Sequence, residues 1–300
     1  MSREGLERVA SELRGEVKWD EPMARHTALR VGGGGDLFIE PDDLLDLQGA
    51  LATLIADDIP YFVVGGGYNL LVRDGGLRGC VISLRGLDTL KPLPGGYLEV
   101  GAGVSNGMLC TVAAESCLAG MEFLAGIPGS FGGALVMNAG AHGGETLQRV
   151  ESLRTLLNGE IVVQRGGELS FGYRFLKLKP GEIVLCATLR LEQAERQVIQ
   201  ERMAGLLSLR GGSQQVAFPS AGSFFKNPHG GQAWRLIEQA GLRGVRIGGA
   251  QVSQVHANFF VNRGGASAAD FLALAELVKG RVQESCGVCL EEEVRVIGEG

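Results

Sequence analysis

Glycine is the feature that most narrows the folds open to this chain. It supplies 48 of the 300 residues, more than twice the usual share of about 7%. Glycine loses more backbone freedom on folding than any other residue. A chain this rich in it needs positive φ, or close approach of backbone to another group, at many places. The alternative is a low-complexity chain, which the interleaving with Val, Leu, Ile and Phe argues against. The hydrophobic (45%) and charged (21%) fractions are those of an ordinary globular protein. The length suits two modest domains, or one large domain with an insertion. A net charge of -6 opposes a non-specific grip on nucleic acid, which rests on clustered Lys and Arg, so no nucleic-acid partner is expected.

Residues 1–8 are charged and lack the apolar stretch and cleavage site of a signal peptide. No uninterrupted apolar run approaches the ~18 residues of a membrane span. A cytoplasmic location with no membrane insertion is therefore expected; a monomer is taken as the expectation without a sequence signal for it. The six cysteines (80, 110, 117, 186, 286 and 289) sit in apolar surroundings and read as buried, reduced thiols. Cys286-Gly-Val-Cys289 lacks a second pair, and His26, His142, His229 and His256 show no ligand spacing, so no metal is expected.

Periodicity and turn residues sketch an α+β chain. Residues 3–14 suit a short amphipathic helix ended by Gly15; a polar stretch then leads to four glycines (32–35) and a strand over 36–40. Pro41-Asp42-Asp43 opens a helix with Leu44, Leu47, Leu51 and Leu54 on one face. A strand over 61–64 runs into Gly65, and Val72, 81–82 and 98–100 suggest more strands. Ser105 is expected to cap a helix reaching Leu118, with Gly120 beyond its end. Residues 150–192 suit several strands, and 192–210 a charged helix broken by Gly211-Gly212-Ser213. Beyond lie helices over 233–240 and 268–283, the second behind Ser267, with strands over 259–261 and 288–297. A domain boundary is expected near residue 195.

Glycine loops at strand ends bind phosphate because bare N–H groups converge on its oxygens. Two familiar versions fail. Gly101-Ala102-Gly103-Val104-Ser105-Asn106-Gly107 has Asn106 where a dinucleotide fingerprint needs glycine, and no Gly-Lys-Ser/Thr follows any glycine cluster. Two candidates remain: Val64-Gly65-Gly66-Gly67-Tyr68-Asn69, and a run over 126–141 that reads GIPGSFGGALVMNAGA. The first is also compatible with a plain hairpin turn. The second is harder to explain by packing alone.

Together these two motifs resemble the FAD-binding lobe of the UDP-N-acetylenolpyruvoylglucosamine reductase family, and the likeness runs from His26-Thr27 to Gly298. The resemblance implies a two-lobed FAD-binding fold of the vanillyl-alcohol-oxidase (PCMH) type plus a C-terminal α+β substrate domain. It implies an FAD-binding region over 1–195, with subdomains of about 1–85 and 86–195, and a substrate domain over 196–300. Val64, Gly65, Gly66, Gly67, Tyr68 and Asn69 would hold the pyrophosphate. Gly126, Ile127, Pro128, Gly129, Ser130, Gly132, Gly133, Asn138, Ala139 and Gly140 would line the cofactor. The chain departs from the family pattern at His26 (usually Asn), Tyr68 (usually Ser) and His142 (usually an aromatic hydroxyl). The short link from Arg174 to Ser223 resembles the family's second subtype.

Reducing an enolpyruvyl ether requires a hydride donor, a clamp for the carboxylate and an acid for carbon. No side chain donates hydride, so a flavin or a nicotinamide must, and the resemblance implies FAD recharged by NADPH as co-substrate. Arg174, in Phe171-Gly172-Tyr173-Arg174, has the planar fork that suits a carboxylate; by itself a Tyr-Arg pair is usually a surface feature. The family places its catalytic arginine there, although Phe175-Leu176-Lys177 stands where serine is usual. Ser223, in a stretch that reads PSAGSFFKNP over 219–228, falls on the family's acid, whereas the residues alone favour a turn serine. Glu293 falls on its catalytic glutamate. In the predicted last strand, Glu291, Glu293 and Arg295 share a face, and crowding among the acids is expected to raise the proton affinity of one. Tyr173, Lys226, Asn227, Gln251 and His256 would contact the UDP-sugar, while Ser253 and Asn258 would help frame the substrate lobe. The rival expectations are an alcohol or lactone oxidase of the same flavin fold, and a flavin-binding protein without turnover.

Overall fold

The computed structural model describes residues 3–214 and 216–300. Contacts divide the chain into two units, neither a continuous segment. The first holds Met1–Trp19, Leu37–Gly66 and Gly79–Arg210, and the second Asp20–Asp36, Gly67–Arg78 and Gly211–Gly300.

In the first unit, helix α1 (Arg3–Glu12) packs on helix α2 (Leu44–Ala56). Asp43 caps α2 by accepting from the Asp46 N–H at 2.9 Å, and the Asp46 carboxylate accepts from the N–H groups of Arg14, Gly15 and Asp42. One buried cluster joins Leu6 and Val9 to Leu47, Leu51 and Leu54 and to Leu37, Ile39, Cys80 and Ile82. Leu44 is only partly buried. The strand Tyr61–Val64 pairs in parallel with Leu77–Ser83. These two belong to a four-stranded sheet in the order Glu16–Pro22, Gly34–Glu40, Leu77–Ser83, Tyr61–Val64. Glu16–Pro22 lies in the stretch that looked merely polar. It is an edge strand, where charges and proline are tolerated and apolar alternation fades.

A second, antiparallel sheet runs Glu160–Arg165, Val150–Leu157, Ile183–Arg190, Tyr97–Gly101, Leu90–Leu93. Its core joins Leu98, Val100, Leu153 and Leu189 to helices α3 (Asn106–Glu115) and α4 (Phe131–Val136) through Leu109, Phe131 and Leu135. Ser105 caps α3, but the helix stops at Glu115 rather than reaching Leu118. Cys117 takes φ 57, and Leu118–Ala119 instead pairs with Glu192–Gln193. Helix α5 (Arg196–Gln214) carries through Gly211, where a break was expected. Each glycine costs a helix about 1 kcal/mol relative to alanine, a weak signal that helical neighbours overrode.

In the second unit an antiparallel sheet orders Ser220–Ser223, Phe259–Asn262, Ala250–Val252 and Arg246–Ile247. Helices α6 (Ala233–Gln239) and α7 (Ala268–Cys286) cover it, and Phe224, Phe225, Phe260, Phe271, Leu274 and Val278 form the centre of its core. Phe224 stacks on Phe260 at 4.3 Å between ring centroids, and Phe225 meets Phe260 edge-on at 5.7 Å. Each such ring stabilises the unit by roughly 1.5–3 kcal/mol through burial. The predicted strand over 288–297 is corrected: only Arg295–Ile297 is strand, parallel to Leu70–Val72. Left-handed Gly287 ends α7, and the segment after it makes single bonds to residues 224–226 instead of a ladder. The alternating burial survives, because Leu290 and Val294 still anchor in the core.

Ser267, expected before α7, forms a capping box with Asp270, and the Asp74 carboxylate accepts from Ala268 N–H (2.8 Å) and Ala269 N–H (2.9 Å). Asp74→Ala leaves both donors without this acceptor. It is expected to cost about 1–2 kcal/mol in urea unfolding.

Candidate functional site

Val64 ends its strand buried, and Gly65 and Gly66 follow with exposed backbone. A Cβ on Gly65 would stand 2.5 Å from Ser130 Oγ and 4.0 Å from Gly133 Cα, so the first glycine turn lies against the second glycine segment. Gly67, at φ +70, begins the second unit's part of the turn. A Cβ there would sit 1.9 Å from the His26 carbonyl oxygen, and Ala28 N–H donates to Gly67 O at 3.0 Å. The His26 ring hydrogen-bonds the buried Glu21 carboxylate at 2.9 Å. Tyr68 is exposed, whereas Asn69 turns its amide inward to donate to Glu293 O at 2.9 Å.

The second glycine segment is seated on the motif that failed as a dinucleotide fingerprint. Phe131 N–H donates to Val104 O (2.7 Å), Gly132 N–H to Ala102 O (2.9 Å) and Asn106 N–H to Gly129 O (3.0 Å). The Asn106 side chain donates to Ile127 O at 3.1 Å. A Cβ on Gly132 would come within 2.8 Å of Ala102 Cβ, and Gly129 sits at φ +127. Pro128 and Gly133 face outward, and Ser130 caps α4 by accepting from Gly133 N–H. Gly65, Gly66 and Gly133 are exposed and form a cradle of main-chain groups, which a side chain at Gly65 would crowd against Ser130. That fits a ligand held by main-chain groups, such as FAD. Sequence reading passed over Arg210, because one arginine on a helix carries no pattern. Its Cδ lies 2.9 Å from the position of a Cβ on Gly126, and burial depresses its guanidinium pKa.

Asn138 is fully buried at φ 40. Its amide donates to Glu145 Oε2 and to Gly172 O, both at 3.0 Å, and its oxygen accepts from Leu147 N–H. Ala139 and Gly140 continue the segment, and Gly140 O accepts from Arg174 Nη2 at 3.3 Å. Arg174 occupies the turn between Phe171–Gly172 and Phe175–Leu176 at φ 63, with its guanidinium 4.9 Å from the Tyr173 ring centroid. A left-handed arginine costs on the order of 1 kcal/mol, which the Asn138 bond to Gly172 helps to hold. His142 is exposed at the tip of the neighbouring hairpin, at φ 53.

In the second unit, Ser223 is half-buried and precedes Phe224, whose carbonyl accepts from Glu293 N–H at 2.8 Å. Backbone pairing thus brings the serine and glutamate segments together. Lys226 N–H donates to Glu291 O, and its ammonium pairs with the Glu291 carboxylate. Lys279 pairs with Glu292 at 2.9 Å and with Glu276 at 2.8 Å, and both carboxylates raise its pKa, Glu276 more strongly. Glu291 and Glu292 thus each have a lysine partner. Asn227 Oδ1 accepts from Ala233 N–H at the start of α6, and Gln251 donates to Gly244 O. His256 lies beside Trp234 and Phe259, its Nδ1 buried with no partner among the described residues. Of the cysteines, Cys80 and Cys110 are buried, and burial pushes both thiols up to about 12. Cys289, expected inside, is exposed because it follows the end of α7.

A family model described as FAD binding domain matches residues 35–165, and one described as UDP-N-acetylenolpyruvoylglucosamine reductase, C-terminal domain, matches residues 214–297. The chain is 56% identical, over all of both chains, to UDP-N-acetylenolpyruvoylglucosamine reductase of Geobacter metallireducens. It belongs to the UDP-N-acetylenolpyruvoylglucosamine reductase family. The relative in Geobacter sulfurreducens is 55% identical over 97% of each chain. The solved family member from Thermus caldophilus superposes with a TM-score of 0.81 at 38% identity, covering 95% of this chain and 99% of that one. An alkyldihydroxyacetonephosphate synthase aligns with 64% of this chain at a TM-score of 0.50 and 16% identity, a likeness of fold alone. The architecture is that of an α+β FAD-binding fold of the PCMH type with the family's C-terminal domain. Among the described residues, no helix is long and apolar enough to cross a membrane.

Burial, and secondarily Arg243, pushes the His256 pKa down to about 4. The unfolded chain takes up a proton near pH 6.5 that the folded chain refuses until about pH 4. Stability should therefore fall as pH drops across that window. His256→Gln should flatten the slope of stability against pH measured by urea unfolding.

Proposed function

We propose that this chain reduces UDP-N-acetylglucosamine enolpyruvate to UDP-N-acetylmuramate, a step in peptidoglycan precursor synthesis, using NADPH and bound FAD in the cytoplasm. Family membership over the full length supports the reaction. The observation that carries the choice of residues is the Phe224–Glu293 backbone bond, which puts a hydroxyl and a carboxyl on adjoining segments. An oxidase or a passive flavin carrier would have no use for that pairing.

FAD, when bound, supplies the hydride chemistry that no side chain has. In this reading, the backbone of residues 64–69, 126–130, 132–133 and 138–140 holds it. An enolpyruvyl group that took up hydride at its terminal carbon would carry charge on the neighbouring carbon and its carboxylate. Arg174 meets that charge with its guanidinium fork, its backbone pinned through Gly172 and Asn138. Ser223 gives its Oγ proton to the carbon next to the carboxylate, forming the new C–H bond and leaving an alkoxide. A hydroxyl is a weak acid, so the transfer depends on a strongly basic carbon held beside it. Glu293 partners Ser223 in this step. Lys226 exchanges Glu291 for a phosphate or carboxylate of the UDP-sugar, and Asn227, Tyr173, Gln251 and His256 complete the contacts. These roles rest on the family motifs together with the positions described above.

Gly65→Val should fill the cradle against Ser130 and weaken FAD retention by at least about tenfold, read from the flavin absorbance of purified protein. In anaerobic stopped-flow, Ser223→Ala should leave flavin reduction by NADPH within about twofold of wild type. The same variant should slow reoxidation by the enolpyruvyl sugar by roughly 10²–10⁴. Equal slowing of both halves would remove Ser223 from the acid role.

A further inference from the structure

The peptide groups just after Ser223 lie where their sheet fails. Ser220 pairs with Val261 and Ser223 with Phe259, with an irregularity between them at Gly222, which takes φ +75. Beyond Ser223 the strand ends, and one side chain takes over the role of a neighbouring strand. Asn258, only 2% exposed, accepts the Phe225 N–H at its Oδ1 (3.0 Å) and donates from Nδ2 to the Phe225 carbonyl (2.8 Å). Its own carbonyl accepts the Phe224 N–H at 2.7 Å. On the opposite side, Phe224 O accepts Glu293 N–H and Lys226 N–H donates to Glu291 O, both at 2.8 Å. The segment over 223–227 is thus gripped between Asn258 and residues 291–293.

We propose that Asn258 is a positioning residue that aims Ser223 and Lys226, resting on the reading of Ser223 as the proton donor. A primary amide offers a donor and an acceptor on one short planar fork, which suits both polar groups of a single residue. Phe225 is the centre of the segment, two residues after Ser223 and one before Lys226. Its ring is fully buried against Phe260, so ring and backbone together fix the segment. Proton transfer to carbon tolerates little displacement, so a loosened Phe225 peptide should reach the chemistry before it reaches the fold.

The test uses Asn258→Asp, which keeps the shape and the acceptor. An ionised carboxylate cannot donate to Phe225 O and repels it, whereas a carboxylic acid restores the donor. Near neutral pH the variant should retain FAD and be reduced by NADPH within about twofold of wild type. Reoxidation by the enolpyruvyl sugar should slow by roughly 100-fold. That deficit should shrink as pH falls and the new carboxyl takes up a proton, while Asn258→Ala stays slow at every pH. Lys226, His256, Glu291, Glu292 and Glu293 are the ionisable groups on the adjoining segments, with Lys279 paired to Glu292 and Arg243 acting on His256. All are shared with wild type, whose pH profile is the reference. Should the aspartate variant not hold FAD, Asn258→Ser with added acetamide replaces it; the amide is expected to speed reoxidation alone. Equal slowing of both half-reactions, no slowing, or failure of both acid and acetamide to rescue would overturn the positioning role. A wild-type flavin that the sugar never reoxidises would overturn the activity itself, and this inference with it.

Discussion

Close approach of backbone to backbone is the constraint on which the rest of this protein depends. Gly67 leaves no room for a Cβ against the His26 carbonyl, Gly132 leaves little against Ala102, and Gly65 lies against Ser130. Each contact trades the conformational freedom of a glycine for a position no other residue can occupy. Beside them, Gly65, Gly66 and Gly133 leave main-chain groups of the first unit exposed, as a ligand held by backbone requires. The glycine content that makes the chain unusual is thus tied to its chemistry.

The second unit solves a different problem, that of holding polar groups still without a continuous sheet. Its serine and glutamate segments meet through isolated bonds, and asparagine amides stand in for the missing ladder. Asn258 binds both polar groups of Phe225, Asn262 donates to Leu29 O, and Asn69 donates to Glu293 O. An amide inside a core must be satisfied on both its faces, so each of these fixes a unique arrangement. The aromatic cluster of Phe224, Phe225 and Phe260 supplies the burial that makes those arrangements stable.

Much of the fold was legible because it depends on local signals. The strand over 61–64 was read to the residue, and the caps at Asp43, Ser105 and Ser267 all accept the expected N–H groups. Misreadings cluster where a local signal was weak or a distant partner decided. Glu16–Pro22 is strand only because a neighbour pairs with it, and α5 passes Gly211 at modest cost. The segment after Gly287 kept its alternating burial but lost its strand, since its partners are single groups on residues 224–226.

Sequence by itself determined the two glycine motifs, the Tyr173-Arg174 pair, the stretch around Ser223 and Glu293, because these are choices of residue type at fixed spacing. It also named the family to which they belong. Tertiary structure alone decided that the failed fingerprint at 101–107 is the seat of the second glycine segment, and that lysines accompany Glu291 and Glu292. It alone showed that Asn69 and Asn258 donate their amides to backbone, and that Asn138 divides its own between Gly172 O and the Glu145 carboxylate. Hydrogen bonds between groups tens to hundreds of residues apart leave no periodicity in a sequence; only folding puts donor and acceptor at the same place.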